Sequence, residues 1–294
     1  MYKQIESNKR RSVLLIFLFI LIITLVGWAV GEITDYGYGI LVLALVISVV
    51  MSLAGYFGGD KMALAVSGAK GIKKEDNPYV YRMVENISIT AGQPTPKVYL
   101  INDTGMNAFA TGRKPDKSSI ALTTGLVNGL ENEELEGVIA HEMSHVKNYD
   151  IRMMTLVGVL AGTIVLVSDI FLRGMFFGGR RRSNNKTHPA ILIIGLAFII
   201  LSPIIAQIIK LAVSRKREFL ADADGALLTR YPEGLARALE KISHSPKPLE
   251  KANNATAHLY IVSPFGGKAG KGLAKMFSTH PPVAERVRAL RGMA

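Results

Sequence analysis

Two stretches of this 294-residue chain, Val13 to Val30 and Tyr36 to Gly59, contain no charged residue. Each is close to the roughly 20 residues that cross a hydrocarbon layer as a helix. Inside a bilayer every backbone N–H and C=O has to be paired within the segment, so both runs read as transmembrane helices. Lys9, Arg10 and Arg11 precede the first run as they would in a signal peptide, but no small-residue cleavage site with a polar start comes after it. The short link between the runs carries Glu32 and Asp35 and no basic residue, whereas Lys3, Lys9, Arg10 and Arg11 lie before the pair and Lys61, Lys70, Lys73 and Lys74 after it. Basic flanks stay in the cytoplasm, which puts the N-terminus and everything after Lys61 on that side.

A third apolar run, from about Met153 to Phe177, is broken by Asp169 and Arg173, and a fourth, Ala190 to Val213, contains Pro203, Gln207 and Lys210. Between them lie Arg180, Arg181, Arg182 and Lys186, and so basic a short loop resists leaving the cytoplasm. The second pair is therefore either a transmembrane hairpin that overrides the charge rule or a hydrophobic helical pair that packs on the membrane without crossing. Both return the chain to the same side. The chain is 49% hydrophobic and 20% charged, and much of the Lys and Arg behind its net charge of +12 flanks apolar runs. That distribution fits a lipid surface and gives no reason to expect a nucleic acid partner. With no cysteine, neither a disulfide framework nor a thiolate metal site is open to the chain.

From Lys61 to Asp150 the chain turns mixed. Val80, Val84 and Ile87 have the spacing of an amphipathic helix over Tyr79 to Thr90, ended by the turn Gln93-Pro94-Thr95-Pro96. Lys97 to Ile101, Asn107 to Gly112 and Ser119 to Thr123 are strand-like and bounded by turn residues, enough for a small sheet. A further helix opens near Asn132, a good cap, with Glu133 and Glu134 in its first turn and a buried stripe of Leu135, Val138 and Ile139. The fold class expected is α+β: a mainly helical domain with a small sheet, two N-terminal transmembrane helices and a second hydrophobic helical pair. The organisation divides as 1–60, membrane hairpin; 61–152, first part of a mixed helix-and-sheet domain; 153–213, the hydrophobic pair; and 214–294, the second part of that domain.

His141-Glu142-Met143-Ser144-His145, H-E-x-x-H, lies on that helix. Histidines at i and i+4 share a helical face, so two imidazoles can converge on one ion while the glutamate beside them faces a water. A chance match in such a chain is on the order of one in a hundred, which favours metal chemistry over two ordinary surface histidines. A catalytic zinc commonly takes a third protein ligand. The chain has no H-E-x-x-H-x-x-G-x-x-H continuation, since Asn148 and Ile151 stand where that longer motif would need Gly and His. The remaining histidines are His188, His244, His258 and His280. Glu218 is the better candidate, because Glu218 and Asp222 share a helical face directly after the fourth apolar run. Ion pairing of Glu218 with Arg215, Lys216 or Arg217 at the surface is the plain alternative.

Taken together, the paired N-terminal spans, Asn107-Ala108-Phe109-Ala110-Thr111-Gly112, the helix through His145, Arg217-Glu218-Phe219-Leu220-Ala221-Asp222 and Thr279-His280-Pro281-Pro282 resemble the HtpX-type membrane zinc metallopeptidases. A more distant resemblance is to the prenyl-protein (CAAX) processing proteases. The resemblance implies a gluzincin-like domain with one zinc per chain, on the cytoplasmic side of a cell membrane. It implies Glu218 as third ligand, Asp222 as the partner orienting a ligating histidine, and Glu142 as general base for hydrolysis by metal-activated water. It further implies that damaged or misassembled membrane proteins, or unfolded polypeptides, are the substrates, in protein quality control under stress. Asn107, Ala108, Phe109 and Ala110 become the edge strand receiving substrate, which agrees with the general habit of proteases of binding extended peptide by strand addition. His280 is either an oxyanion-stabilising catalytic residue or part of a Pro281-Pro282 turn. The rival readings are a prenyl-protein protease and, from Asp169, Arg173, Gln207 and Lys210 within apolar runs, a transporter or channel; the latter leaves H-E-x-x-H unused.

Overall fold

The computed structural model describes residues 2–33, 37–178, 215–245, 247–252, 256–265 and 281–293. The basic loop 180–186, the fourth apolar run, His188 and His280 lie outside the described residues. Helices α1 (Tyr2–Ile33) and α2 (Tyr38–Ser67) are both long and apolar enough to cross a membrane. Side chains such as Phe17, Val42 and Leu53 are more than half exposed, as a lipid-facing surface requires. The helix α2 stops at Gly68, whose φ of 71° lies in the left-handed region that glycine adopts without a Cβ penalty. Helix α6 (Asp150–Gly178) contains the third apolar run and packs on α2 where Gly55 and Gly59 let the two backbones approach.

The sheet has the order β1-β2-β4-β3, from Ala69–Gly71 (β1), Lys97–Ile101 (β2), Ala108–Lys114 (β3) and Lys117–Thr123 (β4). Strand β2 runs parallel to β4, and the outer pairs β1–β2 and β3–β4 are antiparallel, with Ala110 opposite Ile120. Helix α3 (Pro78–Ala91) starts at Asn77, whose side chain accepts the Val80 N–H, and its Val80, Val84 and Ile87 are buried as the periodicity requires. Thr123 ends β4 and caps the short α4 (Thr124–Gly129) by accepting the Leu126 N–H at 3.1 Å.

The central helix α5 (Asn132–Lys147) has no exposed face between Leu135 and Val146 except at Glu136, which is half-buried. Its cap is Glu131, not Asn132: Glu131 keeps an extended backbone and donates its N–H to the Glu134 carboxylate at 2.9 Å, while Asn132 turns its amide oxygen to the Tyr79 hydroxyl. Packed around α5 are the sheet, α3, α7 (Arg215–Thr229), α8 (Pro232–His244) and α9 (Val283–Arg291). Leu135, Val138, Ile139 and Met143 are fully buried in this core, and each is worth roughly 1.5–3 kcal/mol by area. A 3-10 turn, Ala257–Leu259, closes over α6, where the buried His258 ring bonds the Met154 carbonyl at 2.8 Å.

Candidate active site

Helix α5 carries His141, Glu142 and His145 on successive turns, all buried at 4% exposure or less. Helix α7 lies against it because Gly225 has no side chain: a Cβ there would sit 3.1 Å from the His141 nitrogen. That contact brings Glu218 and Asp222 to the two histidines, 73 to 81 positions away along the chain. One possible ligand atom each of His141, His145 and Glu218 lies within 4.8 Å of the others. The imidazoles stand edge to face at 88°, and their Nε2 atoms are 3.9 Å (His141) and 3.6 Å (His145) from the Glu218 carboxylate.

Each imidazole is held from behind by its own carboxylate. Asp222 Oδ1 is 3.0 Å from Nδ1 of His141, and Asp150 Oδ2 is 3.1 Å from Nδ1 of His145. A neutral imidazole that donates from Nδ1 offers the Nε2 lone pair to whatever lies in front of it. Here that is the Glu218 carboxylate, so the three groups converge on one point, which the Arg286 guanidinium flanks with Nη2 3.4 Å from Nε2 of His141 and Nη1 3.7 Å from Glu218. Around the two histidines the described residues bury four carboxylates, Glu142, Asp150, Glu218 and Asp222, against two guanidiniums, Arg217 and Arg286. The residues therefore fit a metal in donor type and in orientation.

Arg286, on α9, is fully buried and clamps Asp222 through Nε at 2.9 Å and Nη2 at 2.6 Å. Its Nη1 donates to the Ile261 carbonyl at 3.2 Å and lies 3.7 Å from Glu218. Sequence reasoning missed both Asp150 and Arg286. A signal existed for Arg286, a lone charge on the apolar Val283-Val287-Leu290 face of a short helix, since a charge on a buried face needs a partner. For Asp150 the only hint was an acid at the first turn of the next helix.

Burial pushes the Glu142 carboxyl up to about 7, aided by the charge of Glu218 and opposed by His145, by a hydrogen bond from the Ala110 N–H and by Arg286. Burial and Arg286 pull His141 down to about 4. Burial pulls on His145 as well, but the hydrogen bond to Asp150 and the charges of Glu218, Asp150 and Glu142 outweigh it and push the ring up to about 9. The carboxylates that favour a proton on His145 favour a metal cation for the same reason.

Asn107, Ala108, Phe109 and Ala110 are buried, and β3 is an edge strand with Ala110 beside Glu142. The outer side of its start is already occupied: Ala108 accepts the Ile261 N–H at 3.0 Å, and the Asn107 amide donates to the Val262 carbonyl at 2.9 Å. Phe109 points to the other side and packs edge-on against Tyr260.

Residues 74–294 match the peptidase family M48. A protease HtpX homolog of Dictyoglomus thermophilum is 45% identical over 293 residues, covering 99% of this chain and 94% of that protein. Another, from Tropheryma whipplei, is 43% identical and covers 100% of this chain and 98% of its own. The crystal structure of S. mikatae Ste24p superposes with a TM-score of 0.51 at 19% identity, over 99% of this chain and 67% of that one, a likeness of fold. From its metal-ready histidine pair to its two membrane-length helices, the chain belongs to peptidase family M48 and is a membrane metallopeptidase.

Proposed function

We propose that this chain is a zinc endopeptidase of the cell membrane whose catalytic domain faces the cytoplasm and whose substrates are damaged or misassembled membrane proteins and unfolded polypeptides. The convergence of His141, His145 and Glu218 within 4.8 Å, beside the buried Glu142, carries the reading. His141 and His145 would hold one zinc through Nε2 and Glu218 through its carboxylate, a three-ligand set that leaves a position open. When bound, the metal supplies the Lewis acidity that acidifies a water and polarises the scissile carbonyl. Glu142 takes the proton on its carboxylate and returns it to the leaving amine. Asp222 and Asp150 keep Nδ1 of the two histidines protonated and the rings aimed.

An extended substrate would add along Asn107–Ala110, and because Ile261 occupies Ala108, pairing falls to the Ala110 end, next to Glu142. His280 would stand near the oxyanion; it precedes α9, which carries Arg286. In domain terms, 61–152 and 214–294 form one catalytic unit, with 1–60 as the membrane hairpin and 153–213 as the hydrophobic insertion. A prenyl-protein protease could use the same metal chemistry, and a transporter would leave it unused, so neither rival is favoured.

The test is metal analysis of the purified full chain together with cleavage of casein and of a membrane protein in a shared bilayer, for wild type and Glu142→Gln. Both proteins are expected to hold about one zinc per chain, with cleavage in the variant down by about 10²- to 10⁴-fold. Substantial turnover by a zinc-loaded Glu142→Gln protein sinks the assignment.

A further inference from the structure

Helix α1 begins before its membrane-length stretch with a polar turn, and Asn8 in that turn is only 2% exposed. Its side-chain nitrogen donates to two acceptors, the main-chain carbonyl of Asn148 at 2.9 Å and Oδ1 of Asp150 at 2.7 Å. Both acceptors lack hydrogens, so the amide can be placed only this way round: a flipped Asn8 would set oxygen against oxygen twice. The two acceptors belong to the junction between α5 and α6, where Tyr149 takes a φ of 60° and the chain turns back so that Asp150 reaches His145. A second tie joins the same elements, with Lys9 Nζ 4.6 Å from the centre of the Tyr149 ring.

Asp150 is thus shared. Its Oδ2 faces Nδ1 of His145 at 3.1 Å, while Oδ1 receives Asn8 at 2.7 Å and Arg217 at 3.4 Å. Of the two donors on Oδ1, Asn8 makes the shorter bond and also fixes the backbone one residue to the N-terminal side of Tyr149. We propose that Asn8, a residue of the first membrane helix, is a positioning residue for the metal ligand His145, acting through Asp150. The membrane anchor is then part of the metal site's outer support. Sliding α1 by a single residue, about 1.5 Å along its axis, would break both Asn8 bonds. This inference rests on the reading of His141, His145 and Glu218 as the metal ligands.

The experiment uses the full chain in a Glu142→Gln background, which prevents self-digestion, purified in detergent. Zinc affinity is measured by competition with a chromophoric chelator, and ligand geometry by the visible absorption of the cobalt(II)-substituted protein. Asn8→Ala is expected to weaken zinc about 3- to 10-fold, less than the roughly 10- to 100-fold of a group touching a ligand directly, and to shift the cobalt bands. Asn8→Asp, nearly identical in shape but without donors, is expected to do at least as much, which a packing role would not produce; it also serves if Asn8→Ala folds poorly. Ser12→Ala removes another buried polar group of α1, one whose partner among the described residues is the Asn8 carbonyl at 2.9 Å and neither Asn148 nor Asp150, and should leave affinity and spectrum at the parent's values. Glu218→Ala should lose the metal. If Glu218→Ala loses metal while both Asn8 variants match the parent, the positioning role is wrong and the metal site stands. If Glu218→Ala keeps full affinity, the ligand assignment fails and the inference falls with it.

Discussion

Asp222 is where three separate elements meet, since its carboxylate takes Nδ1 of His141 and two nitrogens of Arg286 while being carried on α7. Replacing it with alanine leaves Arg286 as a buried guanidinium with no bidentate partner and frees His141 to turn. Asp222→Ala is therefore expected to weaken zinc by about 10- to 100-fold, measured by chelator competition, and unchanged affinity would contradict the orienting role. Glu142 allows a test by pH. Its carboxyl, ordinarily at 4.5, is raised to about 7 in the folded chain, so the protonated form favours folding. That contribution is complete below the unfolded value and is lost as pH rises through the folded one. In metal-free protein, Glu142→Gln should thus melt above wild type by a margin that opens as pH rises from about 5 to about 8. A margin independent of pH would show that the folded-state carboxyl is not raised. The histidines and Glu142 were legible in the sequence because one helical turn fixes their relation. Asp150 and Arg286 were not, because what makes them partners of the site is the turn at Tyr149 and the docking of α9, both set by tertiary packing.

The same limit operates on elements. Helix α3 and strands β2 and β4 follow from local period and turn chemistry, and they lie within two residues of their expected bounds. Strand β1 went unread: three residues, Ala69–Gly71, have no period of their own and become a strand only through pairing with Tyr99–Ile101. The contact between α2 and α6 depends on two glycines whose purpose the sequence does not show. A Cβ on Gly59 would meet Thr155 at 2.8 Å and one on Gly55 would meet Val159 at 3.0 Å, whereas a Cβ on Gly58 meets nothing within 4 Å. Gly59→Leu should therefore cost about 1–3 kcal/mol through overpacking, seen as a fall of several degrees in melting temperature. Gly58→Leu, on the same turn, should melt at least as high as wild type. Equal losses in both variants would mean that the small residues serve helix propensity or lipid contact and not the α2–α6 approach.

At the scale of the whole molecule, the site is assembled from segments before and after residues 179–214, so these segments have to share a compartment whatever path the insertion takes. Charge supports the proposal that this compartment is the cytoplasm: the basic flanks of α1 and α2 lie at the ends nearest Asn8 and Lys61, and the link between the helices holds Glu32 and Asp35 without a basic residue. A chain without cysteine makes the arrangement directly measurable, because each introduced thiol is the only one present. Three exposed positions report on it: Asp116 at the β3–β4 turn, Lys216 two residues before Glu218, and Tyr38, 77% exposed, at the start of α2. In a Glu142→Gln background, a membrane-impermeant maleimide should reach Asp116→Cys and Lys216→Cys only in inverted vesicles and Tyr38→Cys only in right-side-out ones. Labelling of all three from the reverse sides would overturn the cytoplasmic assignment while leaving the metal site intact. Labelling of Asp116→Cys and Lys216→Cys from opposite faces would be more damaging, because Glu218 could then never reach His141 and His145, and the composite site would have to be abandoned.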